Sequence, residues 1–444
     1  MERALGLVTE VRAGEGGTAL LMTLNLFLLL GAYYVIKPIR ESLILAMESG
    51  AQYKSYMSAV IAVGLLFAVP AYSAYAKRVP RNRLVVSVTL FFASNLVLFY
   101  LASLSDTIRP WLGLLFFFWV GIFNMMVVAQ LWAFANDLYD EEQGKRIFPL
   151  IGVGASVGSL AGSIYGIATR GTSVYVMMLA AAGMLAVVAA LSQVVHRREI
   201  DRASRRPTPS TPPPKDGGGG AFELVFKTRY LLLIAIFTSL FTLVNTNGEF
   251  MVGSLVGGWA SELDAAGQLP DGMDKSAFIK SWFDVFFFWV NGVGVVLQLF
   301  VVSRVVKYGG LWVAFFILPV VALLDASMVA IILALAILRV GKIAENSLDY
   351  SLNNTVRNML WLPTTKEMKY RAKQAIDSFF VRIGDVGSAA FVFVMADQLD
   401  LGVRAFAIAN AVMIVGWIVV AVAILKKRQE LLAEQGIDEA AHAP

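Results

Sequence analysis

Arg339, Lys342, Asn346, Asp349, Asn353 and Arg357 follow one another at intervals of three or four residues in an otherwise apolar stretch. Side chains so spaced share one face of a helix. Cations interleaved with amides and a carboxylate are suited to gripping an anion, and arginine offers paired donors that match phosphate or carboxylate oxygens. Other charges stand in similarly apolar surroundings. Lys37, Arg40 and Glu41 flank Pro38 in YYVIKPIRES, Asn245, Asn247 and Glu249 occur in VNTNGEF, and Glu345, Asp377, Arg382 and Asp385 follow later. Counted together, six basic residues (Lys37, Arg40, Arg339, Lys342, Arg357, Arg382) accompany six acidic ones (Glu41, Glu249, Glu345, Asp349, Asp377, Asp385). That balance is what mutual pairing would give.

The elements that must position these groups follow from composition. Of 444 residues, 58% are hydrophobic, 16% are charged and none is cysteine. A soluble domain carries about 25% charged residues, so too little charge is present to clothe soluble surfaces. The chain reads as an integral membrane protein. Stretches of about 20 apolar residues, the length needed to cross a bilayer, fall near 18–36, 57–75, 84–103, 111–135, 150–168 and 173–195. Beyond a polar break they recur near 230–253, 283–303, 309–324, 326–350, 374–395 and 401–425, with Asp325 alone separating the ninth from the tenth. No stretch alternates with the period of a barrel strand, so an all-α protein of twelve transmembrane helices is expected.

An ionised side chain at the centre of such a helix costs about 2.5–3.5 kcal/mol or more. The stripe from Arg339 to Arg357 therefore has to avoid lipid. It lines a substrate cavity, forms a salt-bridge network for gating, or does both. Pro38 removes a helix hydrogen-bond donor beside Lys37 and Arg40, which predicts a kink there; the alternative is that both cations extend to the headgroups. Glu249 could bind a cation, carry a proton, or pair with Arg40 or Arg357.

Basic residues also set the orientation. With the N-terminus inside, 25 Lys and Arg residues fall in cytoplasmic segments, and six (Lys54, Arg109, Arg170, Lys275, Lys280, Arg404) fall in outer loops. Both termini are thus expected in the cytoplasm, and the first apolar run, preceded by mixed residues and lacking a cleavage pattern, is not expected to be removed. The break HRREIDRASRRPTPSTPPPKDGGGG joins Pro-rich and Gly-rich tracts and reads as a linker. The expected organisation is a six-helix bundle over 1–195, a linker over 196–229, a second bundle over 230–430 and a flexible tail over 431–444. Six plus six suggests pseudo-equivalent halves of the major facilitator kind. Faint internal echoes agree: AKRVPRNR with SRVVKYGG, and EEQGKRIFPLIGVGASVGSLAGS with KEMKYRAKQAIDSFFVRIGDVGSAA.

Gly154, Gly158 and Gly162 do not form a phosphate loop, because no strand precedes them and no Lys-Ser/Thr closes the run. Spaced by four in an apolar helix, they are expected to let another helix approach closely. Enzymatic chemistry is poorly served: His196 and His442 both lie outside the spans, and no Ser-His constellation or HExxH occurs. No catalytic residue, cofactor or metal site is expected.

Three stretches, YYVIKPIRESLIL, AQLWAFANDLYDEEQGKRIFPLIGVGASVGSLAG and YSLNNTVRNMLWLPTTKEMKYRAKQAIDSFFVRIGDVGSAA, resemble the ATP/ADP translocase-type nucleotide transporters, a family with a major-facilitator-like fold. The resemblance implies four functional intramembrane charges, two lysines and two glutamates. The first lysine falls at Arg40, the lysine after Tyr-Ser-Leu at Arg357, and one glutamate at Glu249. The other glutamate falls at Gln130, a departure because an amide does not ionise. The resulting expectation is a monomeric exchanger of a phosphorylated anion, most plausibly ATP/ADP-type, in a bacterial inner membrane, with no nucleic-acid partner. Lys37, Arg40, Gln130, Asn245, Glu249, Lys342, Asn346, Asp349, Asn353 and Arg357 would meet the substrate. Glu41, Arg339, Glu345, Asp377, Arg382 and Asp385 would gate or couple. The alternative is a carrier of another organic anion or a lipid intermediate, proton-coupled through Asp377 or Asp385.

Overall fold

A computed structural model describes residues 15–76, 78–139, 141–203, 221–270, 272–365, 368 and 372–434. Arg3, Arg12, Lys77, Lys366, Lys369 and Arg371, the Pro/Gly-rich part of the linker and the end of the tail lie outside the described residues. All regular structure among the described residues is helical, as membrane spans require when backbone polar groups must be satisfied internally. Ten of its helices are long and apolar enough to cross a bilayer.

The elements are α1 (Gly16–Leu45), α2 (Gly50–Ala76), α3 (Arg81–Ala102), α4 (Leu112–Phe123), α5 (Ala129–Leu138), α6 (Glu141–Ala168) and α7 (Val174–Ala203). After the linker come α8 (Ala221–Lys227), α9 (Arg229–Ala265), α10 (Lys275–Val296), α11 (Val302–Ile331), α12 (Leu335–Leu348), α13 (Asn354–Met359), α14 (Val381–Val392) and α15 (Val403–Glu434). π-helical turns join several of them: Asn124–Val128, Leu297–Val301, Asp349–Asn353 and Ile376–Phe380.

The count differs from twelve for identifiable reasons. Lys275–Ile331 runs as one apolar stretch of 57 residues, with Gly310 adopting φ 66 inside α11. That left-handed conformation is readily open to glycine, and it breaks the helix where sequence placed a loop. The region 335–359 is cut into α12, a π turn and α13. The division between the ninth and tenth expected spans also moves. α11 continues through Asp325 to Ile331, and the break lies at 332–334. Asp325 is therefore a buried mid-helix residue, 7% exposed, and not a loop charge.

Two compact units divide the chain. The first comprises Met1–Glu48, Val63–Pro214 and Ala260–Phe288; the second comprises Ser49–Ala62, Lys215–Trp259 and Trp289–Pro444. In the first unit α1 packs on α6 and α7, and α3 packs on α7. Its core includes Phe92, Trp119 and Phe123, with the last two rings stacked at 5.3 Å. In the second, α11 packs on α12 and α15, around Phe237, Phe315 and Trp417.

The glycine stripe is a helix contact. A Cβ on Gly154 would lie 2.5 Å from the Thr23 carbonyl oxygen, and one on Gly158 or Gly162 would collide with the backbone of Phe27 or Gly31 on α1. Backbone meets backbone, so neither partner can yield by rotating a side chain. Gly158→Val is expected to cost about 1–3 kcal/mol as overpacking, lowering the midpoint of thermal unfolding in detergent. Gly152→Ala, whose Cβ would meet nothing within 4 Å, is the control. Equal midpoints for the two variants would refute the contact.

Candidate functional site

In the first unit, α1 runs on through Pro38 to Leu45, placing Lys37, Arg40 and Glu41 along one turn. Lys37 Nζ lies 4.2 Å from the Phe287 ring centroid and 5.5 Å from that of Tyr34. The Arg40 guanidinium lies 4.7 Å from the Phe117 centroid, and its Nε donates to Glu41 Oε1 at 3.0 Å. Aromatic faces offer a cation partial compensation for lost water, and Glu41, almost fully buried, supplies the countercharge. Gln130, just beyond the π turn Asn124–Val128, is buried, and among the described residues neither its amide oxygen nor its nitrogen has a hydrogen-bond partner. Buried polar groups are nearly always paired, so this amide stands out.

The second unit holds a connected polar network. Lys342, 1% exposed, donates from Nζ to Glu345 Oε2 at 2.7 Å and to Asn245 Oδ1 at 3.0 Å. Asn346, one turn along, donates to Glu249 Oε1 at 3.3 Å, and Lys54 donates to Glu249 Oε2 at 3.2 Å. Gly248 gives α12 room: a Cβ there would stand 2.8 Å from Lys342 Nζ. Asn353 donates to Asp349 at 2.7 Å within the π turn. Arg357 pairs with Asp377 at 3.3 Å, and Arg382 pairs with Asp385 at 2.6 Å, where Thr246 also donates. Arg339 is half-buried near the start of α12.

Uniform spacing predicted one continuous face from Arg339 to Arg357. The π turn Asp349–Asn353 admits an extra residue into one turn, which rotates everything beyond it. Lys342 and Asn346 meet α9 at Asn245 and Glu249, while Arg357 lies 5.8 Å from the Phe241 ring centroid on the same helix, pairs with Asp377 and lines a cavity of about 250 Å³. Asn354, Asn358, Lys373, Asp377 and Trp361 share that lining, and Lys373 donates to Asn358 Oδ1 at 2.7 Å.

Among the described residues, Glu15, Lys54, Lys280, Asp284, Asp325 and Arg428 are buried charges that do not stand out in the sequence. Lys54 and Lys280 counted as outer-loop residues, yet they are 6% and 2% exposed. Both sit in helices, because α2 begins at Gly50 and α10 at Lys275. Lys280 binds Asp284 at 2.7 Å and the Gly166 carbonyl oxygen at 3.3 Å, all within the first unit. Asp284 carries no mark in the sequence beyond its spacing, and Asp325 reads there as the boundary between two spans. The i,i+4 spacing of Lys280 and Asp284 was the available signal.

The fold of the chain is similar to that of solved multi-helix membrane transporters. The POT family transporter PepTSo matches with a TM-score of 0.61 at 13% identity, covering 93% of this chain and 98% of that one. More particularly, residues 314–429 match the family model of the TLC ATP/ADP transporter. ADP,ATP carrier protein 1 of Chlamydia trachomatis is 23% identical over 310 residues, 60% of this chain and 55% of that protein. The Chlamydia pneumoniae ADP,ATP carrier protein 1 is 22% identical over 394 residues, 78% and 73% of the two chains. The chain thus spans 55% of the length of the Chlamydia trachomatis carrier it matches.

Proposed function

We propose that the protein is a secondary transporter exchanging a phosphorylated anion of the ATP/ADP type across a bacterial inner membrane. The observation that carries this reading is a set of cations on apolar helices, Lys342 buried and Lys37, Arg40 and Arg357 half-buried, in a chain similar to ADP,ATP carriers. Lys37, Arg40 and Arg357 grip phosphate oxygens, with Lys342 extending the basic lining. Asn245, Asn346, Asn353 and Gln130 provide neutral donors and acceptors for base or ribose, and the unmatched amide of Gln130 supports its part. Glu249 and Asp349 hold cations and amides in place between substrates. Glu41, Arg339, Glu345, Asp377, Arg382 and Asp385 belong to pairs that break and reform as access alternates.

Twelve crossings fit this reading. The 57 residues between Lys275 and Ile331 exceed one crossing of about 20 and are broken at Gly310, which makes eleven crossings of the ten long apolar helices. The segmented helical stretch 335–359 supplies the twelfth. Two six-helix halves, 1–195 and 230–430, are supported by matched packing. α6 lies against α1 at Gly158, and α14 lies against α9 at Gly384, where a Cβ would stand 2.6 Å from the Ser239 carbonyl oxygen. The linker 196–229 and tail 431–444 lie in the cytoplasm, and the carrier works as a monomer.

Purified protein in liposomes preloaded with ADP is expected to accumulate labelled ATP well above unloaded liposomes. Arg357→Ala, which removes a cation from the 250 Å³ cavity, is expected to raise KM about tenfold, the effect of losing about 1.4 kcal/mol of binding. Folded protein showing no counter-substrate-dependent uptake of any nucleotide would overturn the reading.

A further inference from the structure

Asp325 and Glu345 lie at one place in the second unit, with Lys342 between the demands of both. Asp325 is 7% exposed in the middle of α11, and Glu345 is 9% exposed on α12. α12 can approach because residue 341 is glycine, where a Cβ would overlap the Asp325 carboxylate. Asp325 faces Glu345 and Lys342, but its Oδ1 has no hydrogen-bond partner. Lys342 Nζ is engaged by Glu345 at 2.7 Å and Asn245 at 3.0 Å.

The surrounding charges do not mend this imbalance. From α9, Glu249 adds a further acid facing Lys342, and it is met by Lys54. From the π turn, Asp349 faces Lys342, Glu345 and Arg357, while Arg357 is paired with Asp377. α15, also packed on α11, carries its charges near its ends, at Arg404 and from Lys426 onward. Two buried carboxylates therefore compete for one ammonium. Adjacent carboxylates away from water do not both ionise without cost, and a shared proton is the ordinary resolution. A metal cation fits poorly, because the Lys342 ammonium already stands against the carboxylate.

We propose that Asp325 and Glu345 form a proton site coupled to the substrate: when an anion engages Lys342, the two carboxylates lose their countercharge and take up a proton from water. The sign follows by linkage. Anion binding raises the proton affinity of the pair, so acid strengthens anion binding. Substrate and proton then cross together, giving net uptake in addition to exchange. The inference rests on the transport reading above for its substrate, but the proton site itself does not.

The test uses full-length protein in liposomes with ATP and ADP as probes. Exchange is measured in ADP-loaded vesicles at equal pH, and net ATP uptake is measured in unloaded vesicles with the outside acidic. Wild type is expected to show gradient-stimulated net uptake. Asp325→Asn, close in shape, is expected to lose that stimulation while keeping exchange within about twofold, as expected when proton coupling is lost but anion binding stays. Stimulation retained in full by Asp325→Asn, or exchange in wild type with no response to the gradient, overturns the inference. If no nucleotide is exchanged at all, the transport reading falls, and infrared difference spectra on addition of inorganic pyrophosphate decide the proton site. A protonated-carboxyl band that appears with the anion in wild type and not in Asp325→Asn supports it, and absence of that band in wild type overturns it.

Discussion

Lys342→Met is expected to lower kcat/KM for nucleotide exchange by about ten- to a hundredfold. A hydrogen bond from a charged donor contributes about 1.5–3 kcal/mol, and each 1.4 kcal/mol is tenfold. Lys342 is 1% exposed and held between Glu345 and Asn245, so methionine can fill its volume without reproducing its charge. The variant also strips the cation from a buried carboxylate, a change that costs about 3–5 kcal/mol when one partner of a buried pair is removed. Loss of activity alone would therefore not separate a substrate contact from misfolding. The double variant Lys342→Met with Glu345→Gln removes both charges and is expected to recover most of the thermal stability while remaining inactive. Exchange restored in the double variant would show that Lys342 acts through folding and does not touch the anion.

The charges within apolar stretches were legible as a set because the hydropathy pattern makes each of them costly. Their grouping was not, for two physical reasons. Periodicity assumes one helical geometry throughout, and the π turn Asp349–Asn353 departs from it between Lys342 and Arg357. Pairing across helices also leaves no trace in spacing. Glu249 meets Lys54, 195 positions earlier, and Asp325 reaches α12 through the missing side chain of Gly341. Hydropathy also smooths over short breaks. The turn at Gly310 was found because VVKYGG interrupts the apolar run, whereas Asp325 looked like a boundary through its charge alone. The stripe Gly154, Gly158, Gly162 was readable in full, since close helix approach depends on local side-chain size, which the sequence states directly.

The pair Lys280–Asp284 is expected to give the largest stability effect in the first unit. Asp284 is fully buried and Lys280 is 2% exposed. The ammonium also donates to the Gly166 carbonyl oxygen at 3.3 Å, near the C-terminal end of α6, where a helix dipole favours positive charge. Lys280→Met leaves the buried Asp284 carboxyl without its cation, and a Cβ at Gly166 would touch that same carboxyl, so little room exists for water to enter. A single replacement at either position is expected to destabilise by about 3–5 kcal/mol, whereas Lys280→Met with Asp284→Leu is expected to be near neutral. A double-mutant cycle on thermal unfolding in detergent reads the coupling. Additive losses in the double variant would mean that the two side chains act independently and that the pair does not hold α10 against α6. Recovery would place the contribution in the pairing itself: two charges that tolerate burial together and neither of which tolerates it alone.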